Sequence, residues 1–271
     1  MDESPESRQD RPVNLRSGLV LVCCTVVFIV LASGAYFGPQ TISYCRLRST
    51  VFRPPDSSPR GWSSAPRPLD DAIASTAKGS VLSYYGYRFE VPWDDIDKEW
   101  DEGRTVRIRF KTGQVIRFSN PEYFQDNPVN SHVAQDDADY FTQAFGTGIR
   151  ESKYDQFRAI VSTTPSQWSP FRSHKEFARV RILLGIKGLW FEHNPAAPDI
   201  FSFETNDYRG FELSGLSHDW QNVTVNLFDK TDRRFQISVL GDVRSGARVT
   251  QPEINRIIRS FGPIRPTQPK P

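Results

Sequence analysis

The chain has 271 residues, of which 38% are apolar, 13% aromatic and 24% charged, so it can bury a substantial core and is not a disordered polymer. Acids and bases nearly cancel to a net charge of +2, which argues against a dedicated nucleic-acid binder. Cys23, Cys24 and Cys45 fall in or beside one apolar segment, which leaves the rest of the chain without an internal disulfide or a cysteine-held metal.

Residues 1–17 are polar, mixed in charge and without apolar periodicity, the composition of a disordered tail. From Gly18 to Phe37 no charge occurs, and about 20 such residues in a helix cover about 30 Å, the thickness of a hydrocarbon core. Residues 18–38 are therefore expected to form a transmembrane helix or signal-anchor, with Tyr36, Phe37 and Tyr44 at the interface. A cleaved signal peptide is the rival reading, because the small residues Ala32 to Ala35 follow the most apolar stretch. Arg8, Arg11 and Arg16 balance Arg46, Arg48 and Arg53, so flanking charge does not orient the span. The likeness to an export signal places the large domain outside the cytoplasm. Residues 39–68 carry Pro54, Pro55, Pro59 and Pro66 among serines and arginines, which predicts an extended basic spacer.

The globular domain is expected over 69–262, with a disordered tail at 263–271. Tyr87 to Val91 and Thr105 to Phe110 alternate apolar and charged residues, the period of half-buried strands. Gln114 to Ser119 returns after Thr112-Gly113 as a hairpin. The predicted register sets Phe110 opposite Ile116 and Ile108 opposite Phe118 across a loop Thr112 to Gln114. Three helices follow on the stripes of Phe141, of Phe157 and Ile160, and of Phe177 and Leu184. Strands resume at Ile200 to Glu204, Gly210 to Leu213, Val223 to Phe228 and Phe235 to Leu240. A last helix starts at the capping box Thr250/Glu253, buries Ile254, Ile257, Ile258 and Phe261, and stops at Gly262-Pro263. The order implies an α+β fold: an antiparallel sheet of six or seven strands covered by helices and preceded by one membrane helix. The opening stretch Tyr85-Gly-Tyr-Arg-Phe-Glu-Val-Pro-Trp93 resembles the first strand of PsbP-like domains, and Phe235 to Val239 with Ile254 to Phe261 resembles their closing strand and helix. That resemblance implies a binding or accessory module and carries over no catalytic residues.

The acidic run Asp94, Asp95, Asp97, Glu99, Asp101 and Glu102 fails the EF-hand template, with Trp100 where the turn glycine belongs, and reads as a solvated turn or short helix. His132, His174, His193 and His218 show no metal-ligand spacing, and Ser217-His218-Asp219 is too contiguous to act as a triad. Asn222-Val-Thr224 is a glycosylation acceptor only in a eukaryotic secretory pathway. The six tryptophans read as caps on a core more readily than as the lining of a groove. No metal or cofactor is implied. The one constellation pointing to a partner is a basic outer face of the first hairpin, Arg107, Arg109, Lys111 and Arg117, with Arg109 opposite Arg117 and Glu90 as the nearest acid. It suits an acidic protein partner or anionic lipid. The expected function is a membrane-tethered, non-enzymatic interaction or accessory domain, held to the bilayer through residues 18–38. The alternative is a membrane-anchored hydrolase whose site is assembled only in the fold.

Overall fold

A computed structural model describes residues 15–51, 64–70, 78–124, 152–192, 199–217 and 219–264. The chain divides into two units, Met1–Phe52 and Arg53–Pro271. The first is helix α1, Leu15–Val51, whose side chains are described from Cys24 to Cys45. Consecutive residues Val26 to Leu31 are each more than half exposed, so this stretch of the helix is apolar on every side, a surface suited to lipid rather than water. The stretch Cys24–Cys45 is long and apolar enough to cross a membrane, as a membrane span or a signal sequence. The helix does not stop at residue 38: it includes Pro39 and runs on into the segment expected to be an extended spacer. No glycine or proline follows Pro39 before its end, and Thr41 Oγ1 donates back to the Phe37 carbonyl at 2.9 Å.

The second unit is α+β, but its sheet is larger than expected and mixed rather than antiparallel. Eight strands lie in the order β1 (Arg67–Pro68), β7 (Asp199–Glu204), β8 (Tyr208–Ser214), β9 (Trp220–Asp229), β10 (Arg234–Asp242), β6 (Val115–Ser119), β5 (Thr105–Phe110) and β4 (Ile96–Asp101). Two antiparallel meanders, β4–β6 and β7–β10, meet edge to edge where β10 pairs with β6. The single parallel pair, β1 with β7, makes the sheet mixed, and it comes from residues assigned by sequence to the spacer. A separate three-stranded sheet holds β2 (Ser80–Tyr84), β3 (Tyr87–Val91) and β11 (Gly262–Pro263). The strand beginning at Tyr87 therefore lies outside the main sheet, and the folded unit extends past Gly262 to Ile264, whose amide donates to the Gly86 carbonyl.

Alternation sorts the main sheet into two faces. Val106, Ile108, Ile116, Phe118, Val223, Val225, Leu227, Phe235, Ile237 and Val239 join Phe89, Ile254, Ile257 and Ile258 in one core between the sheet, the small sheet and the last helix, α4 (Gln251–Ser260). At the start of α4 the Thr250 amide donates to Glu253 Oε2 at 2.7 Å, as the capping box predicts. The opposite face is covered over β7–β9 by α2 (Lys153–Ser162), which packs Phe157 and Val161 on Ile200, Phe211, Leu213 and Phe228. Helix α3 (His174–Glu192) packs Ile182 and Leu183 on Ile160. The helix expected around Phe141 lies outside the described residues.

Helix α2 is docked by the β9–β10 hairpin. Asp232, at φ +62° in that turn, accepts from the amides of Lys153 and Tyr154, the latter at 3.1 Å, so a carboxylate sits on the helix N-terminus. At the far end of α2, Lys187 of α3 is fully buried and its ammonium donates to the carbonyls of Ser64, Val161 and Thr163 at 2.7–2.8 Å. Burial pushes this amine down to about 8, and three acceptors for three N–H donors keep it protonated at neutral pH.

Candidate functional site

Among the described residues, no element covers the other end of the face that carries α2, over β6, β5 and β4. Register places Trp100, Arg107, Arg117, Ser238 and Thr224 in one row across β4, β5, β6, β10 and β9, all on that face. Arg107 stands directly opposite Arg117, so the like-charge pair exists, but with Arg107 in place of Arg109. The hairpin turns one residue early: Phe110 donates to Gln114, and the three-residue loop Lys111 to Gly113 puts Gly113, at φ +97°, in the left-handed last position. Val106 opposes Phe118 and Ile108 opposes Ile116, a slip of two residues that leaves the buried face unchanged.

The acid expected beside the basic face is present but is not Glu90. Asp97, displaced at a bulge in β4, accepts from Arg109 Nε at 2.8 Å, whereas Glu90 belongs to the small sheet and pairs with Arg256 at 3.1 Å. Arg109 is thus neutralised, and Lys111 is exposed in the turn. Arg107 and Arg117 are exposed and pair with no carboxylate among the described residues. Their contacts are aromatic: Arg107 lies 5.6 Å from the Trp100 ring centre and Arg117 lies 5.5 Å from that of Tyr123.

Four further residues that the sequence reading missed complete this surface. The Lys98 ammonium lies 4.8 Å from the Trp100 ring centre and likewise has no acidic partner among the described residues. Arg234, from β10, lies 4.3 Å over Phe124 and 5.2 Å from Phe157. Among the described residues its guanidinium donates only to amide oxygens, Asn226 Oδ1 at 2.7 Å and Gln236 Oε1 at 3.4 Å. Burial pushes this arginine down to about 10, so it stays a cation with no carboxylate beside it. Tyr123 and Phe124 belong to the single turn Pro121–Phe124 that follows β6, held by the Tyr123 amide donating to Asn120 Oδ1 at 3.1 Å. The result is a continuous band: Lys98 and Arg107 around Trp100, then Arg117 and Arg234 against Tyr123 and Phe124. Only alternation on β5 and β6 signalled it in the sequence, because the other members come from β4, β10 and a turn.

The acidic run is neither turn nor helix but the edge strand β4 and its approach, and its carboxylates serve the fold. Asp95 accepts from the Thr112 amide at 2.7 Å, Glu99 bonds Tyr84, and Asp101 accepts from the Tyr85 hydroxyl and from the Gly103 amide at 2.7 Å. These bonds hold Asp101 below the usual carboxylate range, while burial and the neighbouring acids push Tyr84 and Tyr85 up. Among the described residues no group of His, Cys, Asp and Glu is arranged to hold a metal. His174 starts α3, whereas His132, His193 and His218 lie outside the described residues, and Asp219 is engaged by Arg244 at 2.7 Å. Asn222 lies within β9, paired on both sides, with its side-chain oxygen buried. Trp93 and Trp168 are buried, the latter 5.5 Å from Phe177, as core caps would be, while Trp220 is exposed.

No protein-family model, curated protein or solved structure matches this chain. The PsbP-like resemblance rests on the residues that carry it.

Proposed function

We propose that the protein is a membrane-tethered interaction module, anchored through α1 and recruiting an anionic partner on the band around Arg107 and Arg117, with its second unit outside the cytoplasm. The observation that carries this reading is the absence, among the described residues, of any carboxylate paired with Lys98, Arg107, Arg117 or Arg234. Some exposed arginines elsewhere on the same unit are matched, Arg67 with Asp199, Arg109 with Asp97, Arg233 with Asp229 and Arg244 with Asp219, and others, such as Arg88 and Arg248, are not matched among the described residues. What distinguishes Lys98, Arg107, Arg117 and Arg234 is that they lie together on one face of the sheet. Packed like charges directly across strands cost up to about 1 kcal/mol, and an external anion would relieve that cost. The PsbP-like resemblance, which implies an accessory module, agrees with this reading.

The test is a pull-down from solubilised membranes with the full-length protein and with Arg107→Glu combined with Arg117→Glu. Both side chains are exposed, so folding should be unaffected, while partners retained at low salt should be lost from the variant and from wild type at high salt. An identical set of retained partners in variant and wild type would leave the band with a structural role only.

A further inference from the structure

We infer that the band takes an extended acidic segment of a protein partner, with carboxylates seated on Arg107 and Arg117. This rests on the proposed function and narrows it. The site is a ledge. Its floor is the sheet over β4–β6, which no described element covers, and its wall is the turn at Tyr123-Phe124 with α2 behind it, a layer about 10 Å thick. A plane of lipid headgroups would meet the wall before it reached the floor, and Arg234, held between Phe124 and Phe157, lies at the foot of that wall. A single extended chain can lie along the ledge and send side chains in. Beside the cations the floor offers hydroxyl and amide groups, Ser238, Gln236 and Thr224, on the same face as Arg117. Trp100 and Tyr123 interleave with the cations, 5.6 Å from Arg107 and 5.5 Å from Arg117, and neither of these exposed guanidinium groups is committed to a carboxylate among the described residues. That arrangement suits planar, two-pronged recognition of carboxylate. From β4 to β10 the band crosses three strand spacings, about 14 Å, which four or five extended residues cover.

The probe is a fluorescein-labelled oligo-glutamate of about ten residues, more than long enough at about 3.3 Å per residue, with an oligo-glutamine of the same length as control. Binding is read by fluorescence anisotropy to the full-length protein held in zwitterionic nanodiscs. Wild type should bind the glutamate probe alone, with Kd rising steeply between about 50 and 300 mM salt. Arg107→Gln combined with Arg117→Gln should raise Kd about tenfold or more. Glutamate binding that the double variant leaves unchanged would overturn the inference. Absent probe binding would also overturn it, and a second measurement then separates the two claims. If Lys98 becomes protected from amine-reactive labelling when the nanodiscs contain anionic lipid, the band is an interaction face for lipid and the proposed function stands. If neither probe nor lipid engages it, both fail.

Discussion

On β8 the Glu212 carboxyl is fully buried on the face that packs against α4. Its Oε2 accepts from Gln251 Nε2 at 2.8 Å, and its Oε1 has no hydrogen-bond partner. Burial pushes this acid up to about 7 from an ordinary 4.5. Between those values the folded state holds a proton that the unfolded chain has released. Stability is therefore full below about pH 4.5 and falls as pH rises through about 7, by an amount on the order of 3 kcal/mol at most. Glu212→Gln keeps the shape and the bond to Gln251 without the ionisation. The variant is expected to show nearly the same urea midpoint at pH 5 and pH 8, where wild type loses stability; equal midpoints for wild type would mean that the carboxyl is solvated. Arg234 is the converse case, a shielded cation whose stacking on two rings and bonds to amide oxygens take the place of a counter-ion.

At the scale of elements, periodicity exposed the strands wherever one face is buried and the other wet. The hairpin β9–β10, the pair β5–β6 and helix α4 appear where alternation and the capping box place them. Strand β4 was hidden because its bulge at Asp97 breaks the alternation and its residues are mostly charged and exposed. The β5–β6 register was misread because a slip of two residues preserves every face; the left-handed Gly113 decides it, belonging at the end of the loop rather than its centre. Of the site, Arg107 and Arg117 were legible from one hairpin, but Lys98, Tyr123 and Arg234 become their neighbours only through pairing of distant strands. The turn of β9–β10 repeats the same three-residue geometry with Asp232 in the left-handed position, and there the side chain does a second job as cap of α2. Asp232→Ala should therefore cost about 2 kcal/mol, from the lost cap and from a β-carbon without compensation at positive φ. Asp232→Asn, which retains an acceptor and tolerates that φ, should cost clearly less. Thermal melts of the two variants measure the difference, and equal midpoints would show that the carboxylate does not secure the helix.

For the molecule as a whole, the boundary between α1 and the folded unit decides what can be cut away together with the candidate membrane span. Ser64 is held by Lys187, and Arg67 and Pro68 form β1, so folding begins before Leu69, the start expected from sequence. A chain starting at Arg53 should be soluble and as stable as the full-length protein, since it retains the whole second unit. One starting at Leu69 loses β1 and leaves the buried Lys187 with one donor unpaired, which should lower stability by about 1–3 kcal/mol. Comparison of their denaturation midpoints checks this; indistinguishable values would mean that the segment before Leu69 only rests on the surface.

The N-terminal segment enters the eight-stranded sheet at β1, and the cationic ledge lies towards the other edge, on β6, β5 and β4. Tension between a membrane and a captured partner would therefore cross the pairings from β1 to β6 in series. In such an arrangement the shortest ladder yields first, and that ladder is the two-residue junction of β1 with β7. Under load the protein would behave as a fuse: the N-terminal strap would peel away and add slack while the meanders that carry the ledge stayed intact.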